Sequence, residues 1–248
     1  MKRLFTILTL FLVCTLLQAK NYVVIAGISD YQEGERDLWF AANDAMVMKQ
    51  LYLNNGDAYV ITLTNSDATA DKIKIAMRQA FRKAKAEDNI VFIFAGHGFQ
   101  GGFACYNSYI FYEEVVNAMK TSKAKKKMVF VNACYSGNAR YTSERTDKHF
   151  NEQIMFFLSS RSGQVSWERS DMKNSFFIAY LERGMRGAAD SNRDKRITAV
   201  ELFNYVSTEV NKRSNDQMEK LDQHPVMWGN FDDNMIVIDW SKKKKNRK

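Results

Sequence analysis

A single proline, Pro225, stands in 248 residues, and no stretch rich in Pro and Ser interrupts the chain. Flexible interdomain linkers are therefore excluded, and a hydrophobic content of 46% excludes a disordered chain. No internal repeat is visible. What remains is one packed domain, for which this length is ample. Two site signatures are missing as well. There is no Gly-x-Ser-x-Gly elbow and no phosphate-cradling Gly-Lys-Ser/Thr loop. Sulfur is sparse: Cys14, Cys105 and Cys134 are the only cysteines. Cys14 falls in the leader described next. The other two can form at most one bridge, which a domain of this size does not need to fold.

The first residues stand apart from that domain. Lys2 and Arg3 precede an apolar run from Leu4 to Leu17, closed by Gln18-Ala19. A cationic start, a short apolar core and a small boundary residue make a secretory signal peptide, cut after Ala19. The run of about 14 residues is short for a membrane span, which needs ~20. The mature protein is thus expected to be exported, periplasmic or secreted. It is expected to fold over 20–241 and to end in a disordered basic tail, 242–248.

Positive charge is in excess, but not in the folded body. Of 36 Lys and Arg, two lie in the leader and six in the last seven residues, leaving 28 against 28 Asp and Glu. A neutral body argues against a nucleic-acid groove. The tail is a solvated charge run suited at most to weak contact with an anionic surface.

Apolar runs alternate with helical patterns. Strands are expected at 22–28, 58–64, 89–98, 127–134, 153–160 and 234–240. Helices are expected over 37–53, 68–87, 112–122, 174–185 and 198–213. In the first helix Leu38, Ala41, Ala45, Met48 and Leu51 share one face. Runs that are continuously apolar, separated by helices, predict a mainly parallel sheet of about six strands covered on both faces. Segments 29–36, 99–110, 135–152 and 161–173 read as loops. In such sheets ligands sit beyond the carboxyl ends of the strands.

That rule singles out two residues. The third strand runs into "FAGHGFQGG" and the fourth into "NACYSGN"; if these strands are neighbours, His97 and Cys134 stand side by side at their tips. A thiol becomes a nucleophile when a nearby imidazole takes its proton. Gly96 and Gly98 leave room around the histidine, Gly137 permits the turn after Cys134, and the N–H groups of Gly98 and Cys134 are placed to meet a developing oxyanion. Taken singly, a lone Cys or His at such a place is more often structural; their pairing carries the reading.

These blocks resemble the His-Gly and Cys-Ser-Gly segments of the caspase–metacaspase cysteine peptidases. "NYVVIAGISDY", "LWFAANDAMVMKQL" and "FLSSRSGQVSWE…NSFFIAYLERGMRGAADSNRDKRITAVELFNYV" extend the resemblance over about 22–240. The resemblance implies a caspase-like α/β/α sandwich and a cysteine endopeptidase acting on polypeptides, with Cys134 attacking the peptide carbonyl and His97 shuttling the proton. It also implies cleavage after Arg or Lys. Asp44 matches one pocket carboxylate, while Asn132 stands where the family has a second. Without the resemblance, Asp44 reads as a surface helix residue. An Asp-specific pocket would need arginines, and only Arg36 and Arg161 are at hand. Arg140, Arg145 and Lys148 are candidate self-cleavage sites. The alternative is a catalytically silent caspase-like domain that binds a peptide or protein.

The chemistry requires no cofactor, but "DSNRDKRITAVE" has the oxygen spacing of a calcium loop. Asp190, Asn192, Asp194, the Arg196 carbonyl, Thr198 and Glu201 would be the ligands of Ca²⁺. Lys195 replaces the usual Gly. A capping box, with Thr198 as cap and Glu201 reaching back, explains two of these residues without metal. Many metacaspases bind calcium through acidic residues elsewhere; Glu144 and Asp147 are available.

Overall fold

The computed structural model describes residues 19–32, 35–133, 153–161, 173–215 and 223–241. Residues 1–18 of the expected leader, Cys134, Gly137, the candidate self-cleavage sites, Glu144, Asp147 and the basic tail all lie outside these residues.

Seven-residue apolar runs form the centre of the fold. β1 (Asn21–Gly27), β3 (Asn89–Ala95) and β7 (Lys126–Asn132) lie side by side, buried on both faces. Around them a six-stranded sheet is completed by β2 (Ala58–Thr64), β8 (Ile154–Leu158) and β10 (Val226–Gly229), in the order β10-β8-β7-β3-β1-β2. All neighbours are parallel except β10, which runs antiparallel to β8. Alternation along each strand sends side chains into two cores. Val24, Phe92, Val129 and Phe156 face α2 (Ala70–Phe81) and α3 (Tyr112–Lys120). Val23, Val91, Met128 and Phe157 face α1 (Ala41–Asn55), α4 (Phe176–Arg183) and α5 (Ala199–Asn215). The fold is an α/β/α sandwich.

Three expectations are corrected. The sixth strand of the sheet is Val226–Gly229. The segment expected at 234–240 is instead β11 (Ile236–Asp239), paired with β9 (Arg196–Thr198) in a separate two-stranded ribbon. The 99–110 loop is largely a meander of β4 (Gly98–Phe99), β5 (Gly102–Ala104) and β6 (Tyr109–Phe111). Helix α2 stops at Phe81 rather than 87, because Lys83 and Ala84 close tighter turns onto Ala80 and Phe81.

Candidate active site

The two strands expected to present the site are neighbours in perfect register. β3 pairs with β7 from Asn89↔Lys126 to Ala95↔Asn132. One further bond, Gly96 N–H to Asn132 C=O at 3.1 Å, carries the pairing past the strand end. His97 is the second residue after Ala95, and Cys134 is the second after Asn132. The last described residue before Cys134 is clamped. Ala133 N–H donates to Ser159 Oγ at 3.2 Å, and the hydroxyls of Ser159 and Ser160 donate to Ala133 C=O at 3.3 and 3.4 Å. Both serines are fully buried at the end of β8, where an apolar strand would otherwise continue.

His97 is gripped by the β1–α1 connection. Its Nε2 lies 2.5 Å from the Arg36 carbonyl. A carbonyl only accepts, so Nε2 carries the hydrogen and Nδ1 is the nitrogen left to exchange a proton. Tyr31 holds the other side: its ring lies 5.0 Å from the imidazole, centroid to centroid, and its hydroxyl accepts the His97 backbone N–H at 2.8 Å. The connection is tied together by its own polar residues. Asp37 Oδ1 accepts Tyr31 N–H at 3.1 Å, and Ser29 Oγ accepts Ala42 N–H at 2.9 Å, capping α1 from outside. Arg36, considered in sequence for its guanidinium, contributes its backbone.

The grip also explains Gly96 differently from the sequence reading. A Cβ there would meet the Tyr31 hydroxyl at 2.6 Å and the Phe94 ring at 2.9 Å. The space that glycine leaves is filled by Tyr31. Tyr31→Phe keeps the ring and removes the acceptor of the His97 N–H. Losing one such bond at this part-buried place costs about 1 kcal/mol. We expect kcat to fall by roughly tenfold with KM little changed, as steady-state kinetics would show; an unchanged kcat would deny the hydroxyl a role in holding His97. Gly98, the other glycine beside the histidine, is half-buried and opens β4.

Asp44 is not a surface residue: it is fully buried. Its carboxylate accepts Asn132 Nδ2–H at 3.3 Å, Asn174 Nδ2–H at 3.0 Å and Ser175 N–H at 3.1 Å. The structure thus brings Asp44 and Asn132 together, as the sequence reading paired them. Asn174 and Ser175, missed in sequence, join α1 to the start of α4. Asn132 Oδ1 is buried and has no hydrogen-bond partner among the described residues.

Cys105 is a free thiol, 3% exposed. Burial pushes its pKa up to about 12, with Glu114 adding to and Lys74 opposing the shift. At neutral pH it is a protonated core residue and a poor nucleophile.

Asp190, Asn192 and Asp194 lie in one loop and Glu201 in the first turn of α5, but their oxygens accept from nearby backbone N–H groups and, for Glu201, from two hydroxyls as well. Asp190 accepts the N–H groups of Asp194 and Lys195 at 3.1 and 2.9 Å, Asn192 accepts Asp194 N–H at 2.9 Å, and Asp194 accepts Arg196 N–H at 2.8 Å. Lys195 turns left-handed at φ +66° despite its side chain. The capping box is formed: Thr198 Oγ1 accepts Glu201 N–H at 3.4 Å and Glu201 accepts Thr198 N–H at 3.1 Å. The other Glu201 oxygen accepts from Ser191 N–H and hydroxyl. Partial burial would raise the Glu201 pKa, but the bonds from Ser191 and Thr198 outweigh it and lower it. Among the described residues no group of three His, Cys, Asp or Glu is arranged to hold a metal.

The family model for the caspase domain (peptidase family C14) matches residues 20–235. The chain belongs to the caspase-domain family. Comparison with curated proteins yields no match. Among solved structures, the crystal structure of protein GSU0716 from Geobacter sulfurreducens is similar, with a TM-score of 0.63 and 14% identity, over 86% of this chain and 94% of that one. At that identity the likeness is one of fold. The mostly parallel six-stranded sheet between two helical layers is therefore that of a caspase domain, and its peptidase family implies a polypeptide substrate.

Proposed function

We propose that this caspase domain is a cysteine endopeptidase in which Cys134 is the nucleophile and His97 the general base and acid, cleaving preferentially after Arg or Lys. The observation that carries the reading is the Nε2 contact of His97 with the Arg36 carbonyl, which leaves Nδ1 to take the thiol proton. The thiolate then attacks the peptide carbonyl, and His97 returns the proton to the departing amine. The acyl-enzyme that remains is resolved by water. The N–H groups of Gly98 and Cys134 serve the oxyanion in this reading. Burial of the other mature thiol, Cys105, supports Cys134 by elimination.

The basic-P1 preference rests on Asp44. Its carboxylate accepts from Asn132, whose Oδ1 has no partner among the described residues, so an entering guanidinium or ammonium would find one anionic and one neutral acceptor. Replacing Asp44 by Asn keeps the shape and removes the charge. A charge-assisted hydrogen bond contributes about 1.5–3 kcal/mol. kcat/KM for Arg and Lys substrates is expected to fall by roughly 10–100-fold, with Ala substrates little affected. An equal loss across all P1 residues would make Asp44 a structural clasp between α1 and α4 instead.

The deciding experiment incubates residues 20–248 with fluorogenic peptides bearing Arg, Lys, Asp or Ala at P1, beside Cys134→Ala. One arm contains Ca²⁺ and one a chelator. Equal rates in the two arms would remove Asp190, Asn192, Asp194 and Glu201 as functional calcium ligands. Mass analysis of the incubated chain tests cleavage at Arg140, Arg145 and Lys148.

A further inference from the structure

We infer that removal of the leader after Ala19 builds a new contact into the fold, the α-ammonium of Lys20 against the buried carboxylate of Asp88. Lys20 directly precedes β1 and is already fixed. Its carbonyl accepts Asn89 N–H at 2.9 Å, extending the pairing of β1 with β3. Its own N–H donates to Asp88 Oδ1 at 2.9 Å. Asp88 is only 5% exposed, and its second oxygen accepts Lys85 N–H at 2.8 Å in the turn leading into β3. The Lys20 side chain points elsewhere: Nζ lies 3.9 Å from Asp57 and 5.7 Å from the Tyr22 ring centroid. The α-nitrogen alone addresses Asp88.

In the uncut chain that nitrogen is a neutral amide. Among the described residues no cationic side chain forms an ion pair with Asp88, and a mostly buried carboxylate is costly without one. Hydrolysis of the Ala19–Lys20 bond by a leader-removing endopeptidase adds the hydroxyl of water to the Ala19 carbonyl carbon and its proton to the Lys20 nitrogen. Below its ordinary pKa of about 8 the freed amine takes one proton more. One N–H keeps the Asp88 bond, now charge-assisted and roughly twice as strong. The register is strict. A chain beginning one residue earlier carries its ammonium about 3.8 Å away along the backbone and leaves an amide at Asp88.

The charged groups around the new terminus are Asp88 and Lys85 in the turn before β3, Asp57 in the turn before β2, and the Lys20 side chain itself. A paired ammonium has a raised pKa in the folded state. Its added stability is therefore full below about pH 7.7 and is lost as the pH rises through the folded value.

Two measurements test this, and neither depends on peptidase activity. The full chain is expressed in a secreting host and the exported protein weighed intact. Chains beginning at Lys20 and at Ala19 are then melted from about pH 6 to about pH 10, in wild-type and Asp88→Asn forms. The exported mass is expected to match a chain beginning at Lys20. The Lys20 chain is expected to melt roughly 2–4 °C above the Ala19 chain at the lower pH, with the gap closing at high pH and absent in Asp88→Asn. A different first residue, or equal melting temperatures at low pH, overturns the inference. Should Asp88→Asn not fold, the pH dependence of the gap in the wild type makes the same decision.

Discussion

Cys134→Ala is expected to abolish peptide hydrolysis, and His97→Ala to lower kcat/KM by roughly 10²–10⁴-fold, the usual contribution of a positioned general base. The two losses have different origins. In the proposed mechanism alanine at 134 removes the atom that forms the acyl-enzyme, so no residual turnover by the same route survives. Alanine at 97 leaves the thiol in place but raises the cost of ionising it, and a small fraction of thiolate persists at neutral pH. A sharper variant follows from the histidine's hydrogen bonds. Because Nε2–H is committed to the Arg36 carbonyl, His97→Gln offers an amide to that carbonyl but no base to the thiol. It is expected to resemble His97→Ala in rate while melting closer to the wild type. Alkylation separates Cys134 from Cys105 independently of turnover: iodoacetamide at neutral pH should label Cys134 well before the buried Cys105, whose thiol is held protonated. An intact wild-type protein that hydrolyses no peptide in reducing buffer, with or without calcium, would turn the reading to a binding domain.

Why the histidine could be found in the sequence while its support could not is a matter of range. A Gly-flanked His after "VFIFA" is a local signal, and so is the Asn-Asp of α1. The grip on His97 is assembled from Tyr31, the Arg36 carbonyl and Asp37, which lie 60 to 66 residues before the histidine, and one of the three acts through its backbone alone. A backbone carbonyl has no sequence signature. The serines that clamp Ala133 had one: two consecutive hydroxyls closing an apolar strand. The sheet's edge was harder. "VMWG" is too short to outweigh "NMIVIDW", so the more apolar segment was expected in the main sheet. In the fold it pairs with β9 and covers the α1/α4/α5 core through Val237 and Ile238. Hydrophobicity told which segments are buried, but not which sheet they join. In the 190–201 loop one set of oxygens satisfies both a calcium pattern and a capping pattern. Only the positions of the N–H groups show which bonds are made.

Gly27→Ala is expected to be among the most destabilising single-methyl additions in the chain. Gly27 ends β1, and its φ is not in the left-handed region, so alanine meets no backbone penalty there. The penalty is one of space. A Cβ at 27 would lie 2.3 Å from the Ala41 carbonyl oxygen, 2.6 Å from Ala45 Cβ and 3.1 Å from the Ala41 carbonyl carbon. None of these can rotate away, since two are backbone and the third is a methyl on a buried helix face. β1 cannot retreat either, because it is paired on both edges, with Thr64 and Ala95 opposite Gly27. The first turns of α1 must therefore lift off the sheet. Overpacking of this kind costs about 1–3 kcal/mol and sometimes more; with no yielding neighbour the upper end applies, a fall in Tm of roughly 6–12 °C. Gly56→Ala is the control. It sits at φ +93° and ψ 177° with open space around it, so alanine there meets a backbone penalty alone, about 1–3 kcal/mol, with no displacement of α1. The same displacement reaches the site, because Asp44 lies on the face that Ala41 and Ala45 press against β1, and its bond to Asn132 spans to the β7 tip. Gly27→Ala is thus expected to weaken basic-P1 discrimination along with stability, in assays well below its melting range. If Tm falls while discrimination is kept, the polar cluster around Asp44 holds the start of α1 more firmly than the helix–strand contact does.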